Sequence, residues 1–567
     1  MRSNLSLTRL RLLFWLLIIL AVVIIIRLYI VQVIDGYKYA EKAEQQYTQQ
    51  GEAVFDRGNI YFTDKDGTLI SAATLKSGYT ISLNPTKAEN PEDIFNLLAP
   101  ILDLDTERFY AKVARSHSQY EKLAERVSED VTKEIESYDL SGVEIQKEKW
   151  RYYPNTETGS RVIGFVGYDG DSLVGRYGLE KYYNETLSRS HVNLFTNPFA
   201  RLVKSVSTDA VPEGDIITTL EPTVMVELER ELVKIDEKYD AKLTGGIIMD
   251  PKTGEIIAMS VLPNFDPNNY GKEKDIAVFG NPLVEGIYEL GSIMKPLTVA
   301  YGLDAGAITA KSTYDDKGSM TLDRSTFYNY DHKARGVVSM QEVLNQSLNT
   351  GVAYIVNKMG KSHFADYVRK SGLGEETGID LPGETHGRLD NLTSPRDIEY
   401  ATASFGQGIA VTPIAMVQAL AVLGNGGLLI RPHVVSKIDY TSGLSKQIDY
   451  TNEGERVIKK ETSDEISRML TEVVDKALAK GTMKLEHYSV AAKTGTAQIA
   501  NPEDGGYYSD RYLHSFFGYF PSYNPRFLVF LYTVEPQGVN YASETLAAPF
   551  HTLTKFLINY YNIEPDR

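Results

Sequence analysis

A chain of 567 residues exceeds what one ordinary hydrophobic core organises and implies two or three domains. Its 43% hydrophobic and 24% charged residues describe a globular protein, and a formal net charge of −16 argues against a nucleic-acid partner, which would need a basic face. Cysteine is absent, so disulfides and thiolate metal sites are excluded; the nine histidines show no pair at i,i+3 or i,i+4, and no metal or cofactor is expected.

The N-terminus reads MRSNLSLTRLR, with three arginines and no acid, followed by an unbroken apolar run from Leu12 to Ile26. Arg27 interrupts the run, and LYIVQVI carries it on to Ile34. About 20 apolar residues span a bilayer, and an arginine near the end can snorkel to the headgroups. A cleaved signal peptide is the rival reading, but VIDGYKYA supplies a poor small-x-small site. The expectation is an uncleaved anchor over 12–34, a cytoplasmic tail over 1–11, and everything after it outside the cytoplasm.

Residues 35–241 form a first module, charged and rich in tyrosine. FDRGNIYFTDKDGTLISAA predicts a β-hairpin turning at Asp66-Gly67. Pro91–Lys147 predicts the helices of a small α+β lobe. Residues 221–239 predict an amphipathic helix, because Val224, Leu228, Leu232 and Ile235 recur at helical spacing.

A second module is expected from Lys242 to the C-terminus, residues 242–567. It opens with LTGGIIMDPKTGEIIAMSVLP, two apolar strands around the turn DPKTGE. Helix-like MVQALAVL follows, then three strands (YSVAAKTGTAQ, HSFFGYFPS, RFLVFLYTVE) and a final helix, TLAAPFHTLTKFLINYY. This order suggests one mixed sheet with helices packed on it.

Three short patterns carry the chemistry. The chain has one S-x-x-K, Ser292–Lys295; three S-x-N triplets, starting at Ser82, Ser347 and Ser522; and four K-[ST]-G triplets, at Lys76, Lys252, Lys370 and Lys493. Context separates them. Lys252 falls in the DPKTGE turn, Lys370 at a helix C-cap ending in glycine, and Lys76 and Ser82 in the first module; Ser522 opens a turn between strands. Lys493 differs, because VAAKTGTAQIA is apolar and small on both sides, as a strand buried at a cleft would be.

Acyl-transfer chemistry would bring the remaining three together. Positions i and i+3 of a helix share a face, so Lys295 can reach Ser292. Gly291 is a natural break before that helix, Pro296 is tolerated in its first turn, and the helix dipole favours negative charge developing at Ser292. A serine hydroxyl needs a base, so Lys295 must be neutral part of the time; burial and a second cation, with Lys493 the candidate, would depress its pKa. Ser347 could relay a proton to the leaving amine, and Asn349 could orient Lys295 and a substrate amide. The competing reading of LNQSLNTGVAYIV is an ordinary helix with exposed polar positions.

With SIMK, SLN and KTGT in this order, residues 242–567 resemble the transpeptidase domain of the class B penicillin-binding proteins, monofunctional peptidoglycan cross-linking enzymes. GIIMDPKTGEIIAMSVLPNFDPNNY, GIDLPGE and SFGQGIAVTPIAMVQALAVLGNGG have close counterparts there, and RYYPNTETGSRVIGFVG and GLEKYYNETLS resemble the family's non-catalytic module. The resemblance implies an α+β chain: a single N-terminal transmembrane helix, an elongated pedestal or dimerisation-type module over 35–241, and a mixed α/β transpeptidase domain over 242–567. In that domain an antiparallel five-stranded sheet would be flanked by helices. It further implies that Ser292 attacks the penultimate D-alanine carbonyl of a stem peptide, that the N–H groups of Ser292 and Thr496 form an oxyanion hole, and that Lys493, Thr494, Gly495 and Thr496 bind the donor. Strand parity puts Thr494 and Thr496 on one face and Lys493 on the other unless its stem curls back.

Stem peptides, β-lactams, the membrane, a polytopic glycosyltransferase and other cell-wall synthesis proteins are the partners implied. The location implied is the plasma membrane, single-pass, with the catalytic domain extracytoplasmic, and SFGQGIAVTP leans toward a division role. A DD-carboxypeptidase or β-lactamase of the same fold, and a non-catalytic β-lactam sensor, are the alternatives. The sequence departs from the family at Leu290, where a proline is usual, at two extra residues, Phe62 and Thr63, in the first hairpin, and across SMTLDRSTFYNYDHKARGVVSM, which matches loosely.

Overall fold

The computed structural model describes residues 55–170, 172–189, 212–503 and 505–567, together with Trp15 and Leu20. The tail over 1–11 and all of the anchor expected over 12–34 except Trp15 and Leu20 lie outside the described residues; among those described, no helix is long and apolar enough to cross a membrane. Arg57–Arg189 and Val211–Arg567 belong to one compact unit.

The hairpin expected at Asp66-Gly67 forms between Ile60–Thr63 and Leu69–Leu83, with Phe62 opposite Ile70 and Thr63 opposite Leu69. Phe62, one of the two extra residues, is fully buried, and the Thr63 hydroxyl donates to the Thr218 carbonyl at 2.7 Å. Alternation along this strand is intact, as the period of two requires of an even insertion. Leu69–Leu83 continues into pairings with Glu121–Val127 and Val143–Tyr152. The helices Pro91–Leu102, Thr106–Val113 and Glu129–Ser137 pack there around a separate core that includes Ile81, Leu98, Phe109 and Ile135. On its other side Ile60–Thr63 pairs with Gly214–Thr218, which in turn pairs with Val435–Tyr440. Ser445–Gln447 pairs on the outer side of Val435–Tyr440, so two strands from far beyond residue 242 extend this sheet.

A buried ion triad ties the ends of that module. Glu180 receives Arg57 Nε at 2.5 Å and Arg151 Nε at 2.6 Å, with all three side chains almost wholly removed from solvent. Burial alone would raise the Glu180 pKa, but the two guanidiniums outweigh it and hold the carboxyl below its usual value.

The amphipathic helix forms over Pro222–Tyr239, with the Glu221 side chain capping Val224 N. Val224, Leu228, Leu232 and Ile235 are buried against the second sheet, each contributing roughly 1.5–3 kcal/mol relative to exposure. That sheet runs Ala491–Ala500, Tyr507–Phe520, Phe527–Val534, Leu243–Met249, Ile256–Leu262 in spatial order. Every pairing in it is antiparallel, which corrects the mixed sheet suggested by element order and agrees with the five-stranded antiparallel sheet that the family resemblance implied. The reason is topological: an N-terminal hairpin and a C-terminal three-stranded meander meet edge to edge, and no βαβ crossover is needed. The final helix, Ala547–Tyr560, covers one face, and the helix Lys295–Asp304, which follows Ser292, lies in the same main core.

Candidate active site

Ser292 lies in a tight turn, Gly291–Met294, that feeds the helix Lys295–Asp304, with Pro296 in its first turn. Of the residues from Gly291 to Gly302, Ser292 alone is not buried. Two other segments press on this turn through bare backbone. Gly406, from S-F-G-Q-G, has φ 80°, and a Cβ there would lie 2.2 Å from the Gly291 carbonyl oxygen. A Cβ on Gly495 would lie 2.3 Å from Ser515 Oγ and 2.7 Å from the Leu290 carbonyl oxygen. Only glycine permits either approach. Leu290, standing where a proline was anticipated, is buried, and its carbonyl accepts from Ser515 Oγ at 2.7 Å.

Lys295 points from the start of the helix into the interior, 1% exposed. Its Nζ donates to the Ser347 carbonyl oxygen at 2.6 Å and to Ser347 Oγ at 3.0 Å. Burial first, and then the charge of Lys493, hold its pKa well below that of an ordinary lysine. Lys493 is 3% exposed; its Nζ donates to the same Ser347 Oγ at 3.1 Å and to its neighbour's carbonyl, Thr494 O, at 2.9 Å. Burial pushes the Lys493 pKa down to about 8.

Ser347 is therefore the meeting point of S-x-x-K, S-x-N and K-T-G. It holds φ 53°, in the left-handed region that non-glycine residues seldom enter, just ahead of the helix Asn349–Met359. Asn349 begins that helix, and its Nδ2 donates to the Tyr328 carbonyl at 2.8 Å; both hydrogen bonds of Lys295 go to Ser347. On the edge strand Ala491–Ala500, burial alternates: Lys493, Gly495 and Ala497 are buried, while Thr494 and Thr496 are half-exposed. Thr496 Oγ1 accepts from Ala542 N at 3.1 Å. The Thr496 carbonyl faces the Ser292 turn at Gly291. In a strand a residue's N–H points to the same side as its carbonyl, so the Thr496 N–H faces that turn too.

The look-alike triplets lie elsewhere. Lys252 sits in the hairpin turn and pairs with Asn524 of another look-alike; Lys370 ends the helix Lys361–Lys370; Lys76 lies over the Tyr152 ring at 4.0 Å. Ser82 donates to the Glu144 carbonyl, and Ser522 accepts from Thr471. Among the described residues no group of three or more metal-ligating side chains converges.

Sequence reasoning missed two supports. Glu289, immediately before Leu290-Gly291-Ser292, accepts from Gly408 N at 3.0 Å and from Tyr507 OH at 2.9 Å, and burial raises its pKa. The buried Asp316, with Asn329 and Thr350, belongs to a network beside Ser347; its residues lie mostly in or next to the stretch that matched the family loosely. A lone acid before the S-x-x-K motif was the available signal for the first, and nothing local marked the second.

Comparison with known proteins agrees with this geometry. Residues 244–555 match the family model of the penicillin-binding protein transpeptidase domain, and residues 53–212 that of the penicillin-binding protein dimerisation domain. The chain is 32% identical over 560 residues to Stage V sporulation protein D of Bacillus subtilis, covering 96% of this chain and 85% of that protein. It is 27% identical over 485 residues to the peptidoglycan D,D-transpeptidase FtsI of Escherichia coli, covering 84% and 78%. The crystal structure of penicillin-binding protein 2X from Streptococcus thermophilus shares the fold at a TM-score of 0.74 and 20% identity, over 90% of this chain and 81% of that one. With a turn-borne serine, two buried lysines on one hydroxyl, and a transpeptidase match across more than half its length, the chain belongs to the class B penicillin-binding proteins.

Proposed function

We propose that this protein cross-links peptidoglycan stem peptides through an acyl-enzyme on Ser292, as a serine D,D-transpeptidase of cell-wall synthesis. The observation that carries the reading is the shared hydroxyl of Ser347, held by Lys295 and Lys493 at once. A neutral lysine has two N–H donors and one lone pair. Donation to the Ser347 carbonyl and hydroxyl uses both hydrogens of Lys295, and the lone pair is left for the Ser292 proton. Ser347 Oγ, accepting from both lysines, keeps its own O–H to donate.

The steps follow. Lys295 takes the Ser292 proton as Oγ attacks the carbonyl carbon of the penultimate D-alanine. The oxyanion faces the N–H groups of Ser292 and Thr496. Collapse breaks the C–N bond, and the proton passes from Lys295 through Ser347 to the departing D-alanine nitrogen. An amine from a second stem peptide then attacks the ester, gives up its proton by the same route, and Ser292 is restored. Thr494, Gly495 and Thr496 line the donor's carboxylate, with Lys493 as the nearby cation. With Nδ2 engaged by Tyr328, Asn349 offers its Oδ1 to a substrate amide N–H.

The expected anchor over 12–34, with a cytoplasmic tail over 1–11, places this chemistry outside the plasma membrane. The boundary between a pedestal over 35–241 and a transpeptidase domain over 242–567 belongs to the same proposal. So does a polytopic glycosyltransferase partner that supplies the glycan strand. Likeness to FtsI of Escherichia coli supports a division role, and the 32% identity to Stage V sporulation protein D favours spore formation as a second reading.

The test is a full-length protein incubated with a fluorescent penicillin and, separately, with a stem-peptide donor with and without an amine acceptor. Label on Ser292, lost in Ser292→Ala and kept in Ser82→Ala, together with product that depends on the amine, is expected. An adduct on another residue sinks the site, and product formed equally with water alone makes the enzyme a carboxypeptidase.

A further inference from the structure

Ser347 must hold an unusual backbone conformation while its carbonyl and hydroxyl face two lysines, so something has to fix it. The segment from Asp316 to Arg335 grips the S-L-N motif on both sides. Ahead of Ser347, Arg335 Nε donates to Gln346 Oε1 at 3.0 Å, and the guanidinium is steadied by Asp331. Behind it, the Tyr328 carbonyl takes Asn349 Nδ2, and Asn329 Oδ1 takes Thr350 N at 3.2 Å. Asp316 is the anchor of the whole arrangement. It is 1% exposed, and its carboxylate accepts from Thr350 Oγ1 at 2.7 Å, Asn329 Nδ2 at 3.0 Å, Gly318 N at 3.1 Å and Arg335 N at 3.0 Å.

These four donors satisfy the buried carboxylate, with the Tyr314 hydroxyl and the Arg335 guanidinium also within its electrostatic reach, and they come from different pieces of the grip. A fully satisfied buried network of this kind has one low-energy arrangement, because loss of any member strands the others. Such a group specifies geometry. We propose that Asp316 is a positioning residue for the transpeptidase reaction: acting through Asn329 and Thr350, it fixes Ser347 where Lys295 and Lys493 both reach it. The inference rests on the acyl-enzyme reading given above.

Full-length variants are compared by their acylation rate with a fluorescent penicillin across pH. Asp316→Asn and Thr350→Val lower the rate roughly ten- to a hundredfold, the scale expected when a catalytic group is misplaced by about an ångström. Thr350→Ser, which keeps the hydroxyl, stays near the wild-type rate. The pH profile separates positioning from folding. Burial first and then the charge of Lys493, the charged group facing it, depress the Lys295 pKa, and its hydrogen bonds to the Ser347 oxygens work against them by favouring the ammonium form. Losing those oxygens lowers the Lys295 pKa further, so the acid limb of acylation moves to lower pH in Asp316→Asn and Thr350→Val.

Val368→Ala, a buried change on the helix Lys361–Lys370, is the control: it lowers Tm but moves neither the rate per folded molecule nor the limb. If Asp316→Asn fails to fold, Thr350→Val against Thr350→Ser decides. Wild-type rate and limb in Thr350→Val, or a loss that only matches Val368→Ala, overturns the proposal. A wild-type adduct away from Ser292 would instead bring down the acyl-enzyme reading itself.

Discussion

Lys493 and Thr494 are adjacent on one strand and face opposite ways, yet the Lys493 ammonium returns to the Thr494 carbonyl at 2.9 Å. Strand parity separates the side chains, and the four-carbon lysine stem curls along the strand edge to the backbone carbonyl without crossing to the threonine face. The K-T-G motif thus serves two sides of the cleft: a cation inside, against Ser347, and two hydroxyls outside, where a donor would lie. The division of labour between Lys295 and Lys493 follows from the same burial.

Lys295 is assigned the base because it lies three residues from Ser292, gives both its hydrogen bonds to Ser347, and is held well below its ordinary pKa by burial and by the charge of Lys493. Arginine at this position keeps the charge and cannot give up its proton. Lys295→Arg should fold and lose roughly 10²–10⁴-fold in acylation rate, the usual contribution of a general base. Single-turnover labelling of a variant with wild-type Tm measures this, and a near-normal rate would refute the assignment.

The pH dependence of acylation should be bell-shaped. On the acid side Lys295 gains a proton and can no longer accept one from Ser292. On the alkaline side Lys493, whose pKa is pushed down to about 8, loses the charge it holds against Ser347 and the donor. The descending limb should therefore fall near pH 8. Lys493→Arg, which stays charged, should move that limb upward while leaving the ascending limb in place. An unmoved descending limb in this variant would show that another group sets it.

Much of this molecule is readable in its sequence because the signals are local. Val224, Leu228, Leu232 and Ile235 announce their helix by spacing, Asp66-Gly67 announces a hairpin, and small residues around Lys493 mark a buried strand. What stays hidden is non-local. Asp316 meets Thr350 across 34 residues, and no short pattern links them. Val435–Tyr440 joins the sheet of the first module from the far half of the chain. Tyr507–Phe520 begins well before the apolar core of that strand at His514, because its first residues are polar and exposed. The strained backbone of Ser347 is likewise invisible in S-L-N, although it decides where the hydroxyl points.

Close backbone packing around the nucleophile gives a steric prediction. Gly406→Ala would set a Cβ 2.2 Å from the Gly291 carbonyl oxygen, at a φ that alanine seldom adopts. The clash falls on the turn that carries Ser292, and the strain on the S-F-G-Q-G segment packed against it. Acylation should drop at least tenfold and Tm should fall with it, whereas Gly443→Ala, with nothing within 4 Å of its added Cβ, should leave acylation unchanged. Acylation by Gly406→Ala at the wild-type rate would mean the turn has slack that the structure does not suggest.

The two threonines of the K-T-G-T stretch should behave alike toward substrate and differently toward stability. Both residues are half-exposed and share the strand face on which a donor carboxylate would lie. Removing one charge-assisted hydrogen bond costs about 1.5–3 kcal/mol, or roughly ten- to a hundredfold in rate. Thr494→Val and Thr496→Val should each slow acylation by a carboxylate-bearing donor about that much, and matter far less for a donor whose carboxylate is masked as an amide. Thr496 has a second duty, because its Oγ1 accepts the backbone N–H of Ala542, a buried residue. Valine there strands that N–H at a cost of about 1–3 kcal/mol, so Thr496→Val should also lower Tm. No such cost attaches to Thr494→Val, which should melt with the wild type. Equal rate losses on masked and unmasked donors would show that the strand acts by packing and that the carboxylate is held elsewhere.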